Sequence, residues 1–126
     1  MEPLNDTNIV YFIGMDCKNS PIKVGVSTLL GLKQRMASLQ TGCPYKLNPF
    51  AVIPLNSSED AYSLEELIHT ILESYRTNGE WFICDKVISL LTLISLKYNA
   101  LNYDYSGQLS SGKTYEEMYL DMKVPK

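Results

Sequence analysis

Cysteine is scarce: Cys17, Cys43 and Cys84 are three in number and lie far apart. That excludes the dense disulfide framework of small secreted domains and the close CxxC pairs of a zinc knuckle. The three read as reduced thiols, which predicts a reducing, cytoplasmic setting. Long apolar runs are also missing, since none approaches the roughly 20 residues that a membrane span needs. The opening MEPLNDTNIVYF carries an acid where a secretory leader carries bases. A soluble chain with no membrane partner, remaining where it is made, is therefore expected. A basic excess is absent as well, for the net charge is -3. That excludes a protein that coats nucleic acid through a general positive field.

What is present is enough for one ordinary core. The 126 residues are 45% hydrophobic and 20% charged, a composition that closes one domain and excludes disorder. Residues 1–101 read as that domain, and residues 102–126 as a polar linker followed by a short amphipathic tail helix. Charge is unevenly spread along the chain. Lys18, Lys23, Lys33, Arg35 and Lys46 face only Glu2, Asp6 and Asp16 in the first 56 residues, while the remainder is acid-rich. Phosphate contacts are expected from the first half, with Arg76 as an addition.

Ala61 to Phe82 (AYSLEELIHTILESYRTNGEWF) organises the rest. Ala61, Leu64, Leu67, Ile68, Ile71, Leu72 and Tyr75 recur at three- and four-residue intervals, which predicts one buried face of a helix. At roughly 100° per residue, Glu65, His69 and Arg76 share a flank of that face. Asn78-Gly79 reads as a helix stop and turn, before Glu80 and the only tryptophan, Trp81.

Upstream, Ile9 to Gly14 and Pro21 to Ser27 are β-branched and aromatic runs around a turn-rich sextet, which predicts a hairpin. In its second strand Ile22, Val24 and Val26 share one face, Lys23 and Gly25 the other. The glycine leaves room for a close approach to the backbone. A helix capped by Ser27-Thr28 follows to about Gln40, with Leu29, Leu32, Met36 and Leu39 inward and Arg35 at the stripe's border. Leu47 to Leu55 predicts a third strand, whose pairing Pro49 and Pro54 confine, pointing to an edge position or early ends.

Downstream, Ser57 to Asp60 caps the central helix, and Ser63 with Glu66 forms an alternative inner capping box. Lys86 to Leu101 carries helical spacing, and Asn102 to Gly112 reads as loop. Thr114 and Glu117 form a capping box over the tail helix, which needs its own core, a second copy or a protein partner to lie on. Gly107 to Thr114 also satisfies P-loop spacing. It lacks the buried strand before it and the full helix behind it, so no nucleotide partner is expected.

In order along the chain, Val10-Tyr11-Phe12-Ile13, Ile22-Lys23-Val24-Gly25-Val26-Ser27, Arg35 to Gly42, Leu64-Glu65 with His69, and Gly79-Glu80-Trp81-Phe82 resemble the five motifs of the GIY-YIG endonuclease superfamily. The likeness covers about residues 9–82 and is strongest to the phage-type DNA-binding branch, with Lys23-Val24-Gly25 in place of Tyr-Ile-Gly. Ile9 stands where the family's first motif opens with glycine, and Leu39 where many members carry histidine. The resemblance implies an α+β fold: a small three-stranded antiparallel sheet flanked by helices, here with a C-terminal helix and short helical tail.

It further implies a metal-dependent DNA endonuclease. Tyr11 would activate water, Arg35 and Lys23 would stabilise the phosphate, and Glu65 would hold Mg²⁺ or Mn²⁺. His69 would assist proton transfer, with Lys33 and Arg76 as outer contacts to DNA. Phosphodiester hydrolysis needs a positioned water and neutralised phosphate charge, and these groups can supply both. A phenol with its ordinary pKa near 10 is a poor base at neutral pH and needs help from the metal or from Lys23. The altered second motif and the negative charge motivate an alternative, a catalytically weak or inactive DNA-binding or protein-interaction module on the same fold.

Overall fold

The computed structural model describes residues 7–15, 20–94, 97–98, 101–103, 109–110 and 117–118. Strands β1 (Asn8–Met15) and β2 (Ile22–Thr28) form the expected antiparallel hairpin, with Tyr11 opposite Gly25 and Ile13 opposite Lys23. The buried Ser20 hydroxyl clasps the mouth of its turn, accepting from Met15 N–H at 3.2 Å and donating to Met15 O at 3.1 Å. Thr28 caps helix α1 (Leu29–Gln40) by accepting from Gly31 N–H at 3.0 Å, as its sequence position predicts. Gly42, with φ 83°, takes the left-handed conformation just past the helix end.

Strand β3 (Leu47–Leu55) spans the expected residues but is not at the edge. It lies between β1 and a short strand β6 (Leu101–Tyr103). Among the described residues, β3 pairs with β6 at Ala51 and Val52, between the two prolines that lack a ladder donor. Among the described residues the sheet has seven strands in the order β4-β5-β2-β1-β3-β6-β7, where β4 is Arg76–Asn78, β5 Trp81–Phe82 and β7 Leu109–Ser110. Every pairing is antiparallel. The expected three-stranded sheet is thus corrected. The four extra strands are two or three residues long, and pieces so short have no period to read.

Helices α2 (Ser58–Ile71) and α3 (Cys84–Ile94) cover one face of the sheet. There Phe12, Val24, Phe50, Ile68, Val87 and Leu91 close the larger core. Helix α1 covers the other face, where Ile9, Tyr11, Ile13, Leu32 and Val52 form a second cluster. Met118, within the expected tail helix, is buried in the larger core. Of the P-loop-like match only residues 109–110 are described, and Cys17 lies outside the described residues. Cys43 and Cys84 are thiols.

Helix α2 begins as expected, with Ser57 Oγ accepting from Asp60 N–H at 3.1 Å. It ends earlier than the periodicity predicts. After Ile71 the chain tightens into a 3₁₀ turn over Glu73–Tyr75 and then enters β4. Its buried stripe is Ala61, Leu64, Ile68 and Leu72, whereas Leu67 and Ile71 are half-exposed. These two lie some 80–120° round the helix from Ala61, beyond the width of the face that meets the sheet. Helix α3 is described as far as Ile94, and Leu101, expected in the same helix, belongs to β6.

Candidate functional site

The site lies at the β2 border of the sheet, where β5 is only two residues long and pairs with β2 at Ile22 and Lys23 alone. Beyond that pair, Val24 N–H donates to Glu80 O at 3.1 Å. The Val24 carbonyl, which points to the same side of the strand, accepts from His69 Nε2 at 2.9 Å. A carbonyl can only accept, so Nε2 carries the proton, and in the neutral ring the lone pair is on Nδ1. The His69 ring also rests against Phe82 at 5.1 Å between centroids. A helix side chain is thereby tied to the strand it covers.

Tyr11 reaches the same border from the other direction. Its ring lies across Gly25 so closely that a Cβ there would meet Tyr11 Oη at 2.4 Å. The cross-strand glycine is the reason the phenol fits. Burial pushes its pKa up to about 12, the Coulombic pull of Arg35 works against that rise, and the charges of Glu80 and Glu65 add to it. The phenol therefore holds its proton throughout the physiological range, among two carboxylates and a guanidinium.

Lys23 is almost fully buried on the Gly25 face, with Nζ donating to Glu80 Oε1 at 2.7 Å. Its partner arrives through the turn at Gly79, whose φ of 55° lets the β4–β5 hairpin close. Glu65 is half-buried, and its carboxyl pKa is raised from the ordinary value. Desolvation is the main cause and the Glu80 charge adds to it, while His69 and Lys23 offset part of the rise. Glu65, His69 and Glu80 each present a ligating atom, all within 4.8 Å of one another. Two carboxylates and an imidazole at this spacing suit a divalent cation.

Tyr11, Lys23, Glu65 and His69 thus share one place, and Arg35, exposed on α1, is close enough to bear on the Tyr11 phenol. Lys33, two residues earlier, points roughly 200° away around the helix and lies exposed outside the set. Arg76 is not on the flank of α2 at all. It sits in β4, donating to Glu73 Oε1 at 2.9 Å and to the Gly79 carbonyl, with its guanidinium over the Phe82 ring at 5.0 Å. The sequence reading passed over Glu80 as a site residue. In the sequence it stands only as part of the Gly79-Glu80-Trp81-Phe82 motif, without a role of its own.

The fold and site define an α+β domain with a mixed acid, base and imidazole cluster at a sheet border. The chain belongs to the T5orf172 domain family, whose profile matches residues 8–95. This is a domain found in phage and other nuclease-like proteins, and it is compatible with a DNA-related function. The match corrects the GIY-YIG assignment, because the family that matches is T5orf172 and GIY-YIG is not found. Five short motifs in order, with Ile9, Lys23 and Leu39 departing from the pattern, were too little to separate one family from another. No curated protein and no solved structure matches the chain. Among the described residues no helix is long and apolar enough to cross a membrane.

Proposed function

We propose that the protein is a divalent-metal-dependent DNA endonuclease that hydrolyses phosphodiester bonds. The observation that carries this reading is the gathering of Glu65, His69, Glu80, Lys23 and Tyr11 at one sheet border, within electrostatic reach of Arg35. In the reaction a water oxygen bonds to phosphorus as the ester oxygen leaves with the electrons of the broken bond, and the proton that the water loses passes through solvent to the departing oxygen. Arg35 and Lys23 bind and orient the phosphate and offset its charge. Tyr11, neutral with a pKa pushed up to about 12, donates its hydroxyl proton as a hydrogen bond to a phosphate oxygen. That replaces the water-activating role expected of it. Glu65 holds the cation. When bound, a Mg²⁺ or Mn²⁺ ion neutralises charge on the phosphate and lowers the pKa of water.

The test is nicking of supercoiled plasmid with Mg²⁺ or Mn²⁺. Cleavage by the wild type that disappears in Glu65→Ala and Arg35→Ala supports the reading. No nicking, or nicking indifferent to Glu65→Ala, removes it. The net charge of -3 favours a second reading, a module that holds DNA or a protein without cutting. Salt-dependent DNA binding without cleavage would select its DNA form, since phosphate contacts release counterions.

A further inference from the structure

We propose that Glu65, His69 and Glu80 together form one mixed carboxylate-imidazole site for a single divalent cation, and that the imidazole makes it prefer Mn²⁺ to Mg²⁺. The inference rests on the reading of Glu65 as a metal holder and adds two ligands and a selectivity to it.

Three observations carry it. The residues come from two separate elements, helix α2 and the turn before β5, yet a carboxylate oxygen of each glutamate and a ring nitrogen of His69 lie within 4.8 Å of one another. Glu65 and His69 are four residues apart, so they rise from adjacent turns on the same flank of α2. Each added ligand is also anchored by a group outside the set. His69 donates Nε2–H to the Val24 carbonyl at 2.9 Å, leaving Nδ1 as the nitrogen with a lone pair. Glu80 holds Lys23 through Oε1 at 2.7 Å, which leaves Oε2 outside that ion pair. Ligating imidazoles and carboxylates are characteristically oriented in this way by outer partners.

Selectivity follows from the donor types. Mg²⁺ favours hard oxygen ligands and keeps most of its water, so an imidazole contributes little to holding it. First-row transition ions accept imidazole nitrogen readily, and the two carboxylates keep the set hard enough for Mn²⁺. Lys23 engages Oε1 of Glu80 and so leaves the second carboxylate oxygen outside the ion pair.

The full-length chain is titrated with Mn²⁺ by EPR, with Mg²⁺ as competitor, in the wild type and in Glu65→Ala, His69→Gln and Glu80→Gln. Glutamine at 69 retains a donor for the Val24 carbonyl, and thermal melts verify that each variant folds. His69→Gln should weaken Mn²⁺ by at least about tenfold, the loss that even an outer partner of a ligand typically causes, and leave Mg²⁺ nearly unchanged. Glu80→Gln should weaken both ions. The chain has one histidine, so its ¹⁵N imidazole signals are assigned without further work, and Zn²⁺ should shift Nδ1 while Nε2 stays protonated.

Mn²⁺ affinities unchanged in His69→Gln and Glu80→Gln, with Nδ1 unmoved at saturating Zn²⁺, would overturn the three-ligand site. If Glu65→Ala alone then abolishes binding, the reading of Glu65 as metal holder stands. If Glu65→Ala also binds like the wild type, that reading fails as well.

Discussion

Gly25→Ala probes how the site and the fold share one contact. A Cβ at position 25 would lie 2.4 Å from Tyr11 Oη and 2.5 Å from Cζ. Non-bonded carbon atoms settle about 3.5–4.0 Å apart, so the overlap exceeds about 1 Å. The ring is 2% exposed and packed with Ile9, Ile13, Leu32 and Val52. It cannot swing clear without disturbing that cluster. Overpacking of this kind costs about 1–3 kcal/mol. Stiffening the unfolded chain by replacing glycine returns about 0.4–1 kcal/mol. A net loss of about 1–2 kcal/mol is expected from urea unfolding, with a fall of roughly 3–8 °C in Tm. In a Tyr11→Ala background the obstacle is gone, and the same substitution should become neutral or mildly stabilising. The double-mutant cycle should then give a coupling of about 1–3 kcal/mol. Equal costs in both backgrounds, or a gain in the wild type, would refute the argument.

Glu65→Gln should raise Tm at neutral pH while removing divalent-ion binding. The folded carboxyl has its pKa raised chiefly by desolvation, so its stabilising contribution is present below the unfolded pKa and lost as pH rises through the folded one. The ionised form at neutral pH is therefore a cost that glutamine lacks. Tyr11 behaves in the same sense at the alkaline end, since its folded pKa of about 12 lies above the unfolded value of 10.0. Stability should fall between those pH values more steeply in the wild type than in Tyr11→Phe, as read by denaturation at fixed pH. For DNA, Arg35→Ala should reduce the slope of log affinity against log salt by about 1. Arg76→Ala should leave that slope unchanged, its guanidinium being engaged with Glu73, Gly79 and Phe82. Thr28→Ala removes the α1 cap and should cost about 1 kcal/mol in the same unfolding assay.

The readings that matched the structure depend on neighbours in the chain. Alternation along Ile22–Thr28 puts Ile22 and Val24 into one core and Lys23 and Gly25 on the opposite face, a period of two that needs no distant partner. Thr28 and Ser57 cap helices because their hydroxyls reach amides three residues on. Glu65 and His69 share a flank for a similarly local reason. Arg76 left that flank because the helix gave way first to a 3₁₀ turn and then to β4, so the extrapolated angle no longer applied.

Strands of two or three residues form only against a partner already in place, and so β4 to β7 carry no signal of their own. Glu80 shows the same limit at the site. It is brought to Lys23, 57 residues away in the chain, through the pairing of Trp81 with Lys23 and of Val24 with Glu80. From the sequence by itself came the hairpin, the starts of α1 and α2, the shared helix flank of Glu65 and His69 and the shared strand face of Lys23 and Gly25, since short-range sterics and hydrogen bonds decide these. Tertiary structure alone decided which carboxylate completes the cluster, which lone pair His69 keeps, and how far Tyr11 is withdrawn from water. Those depend on burial and on contacts between residues that no local period connects.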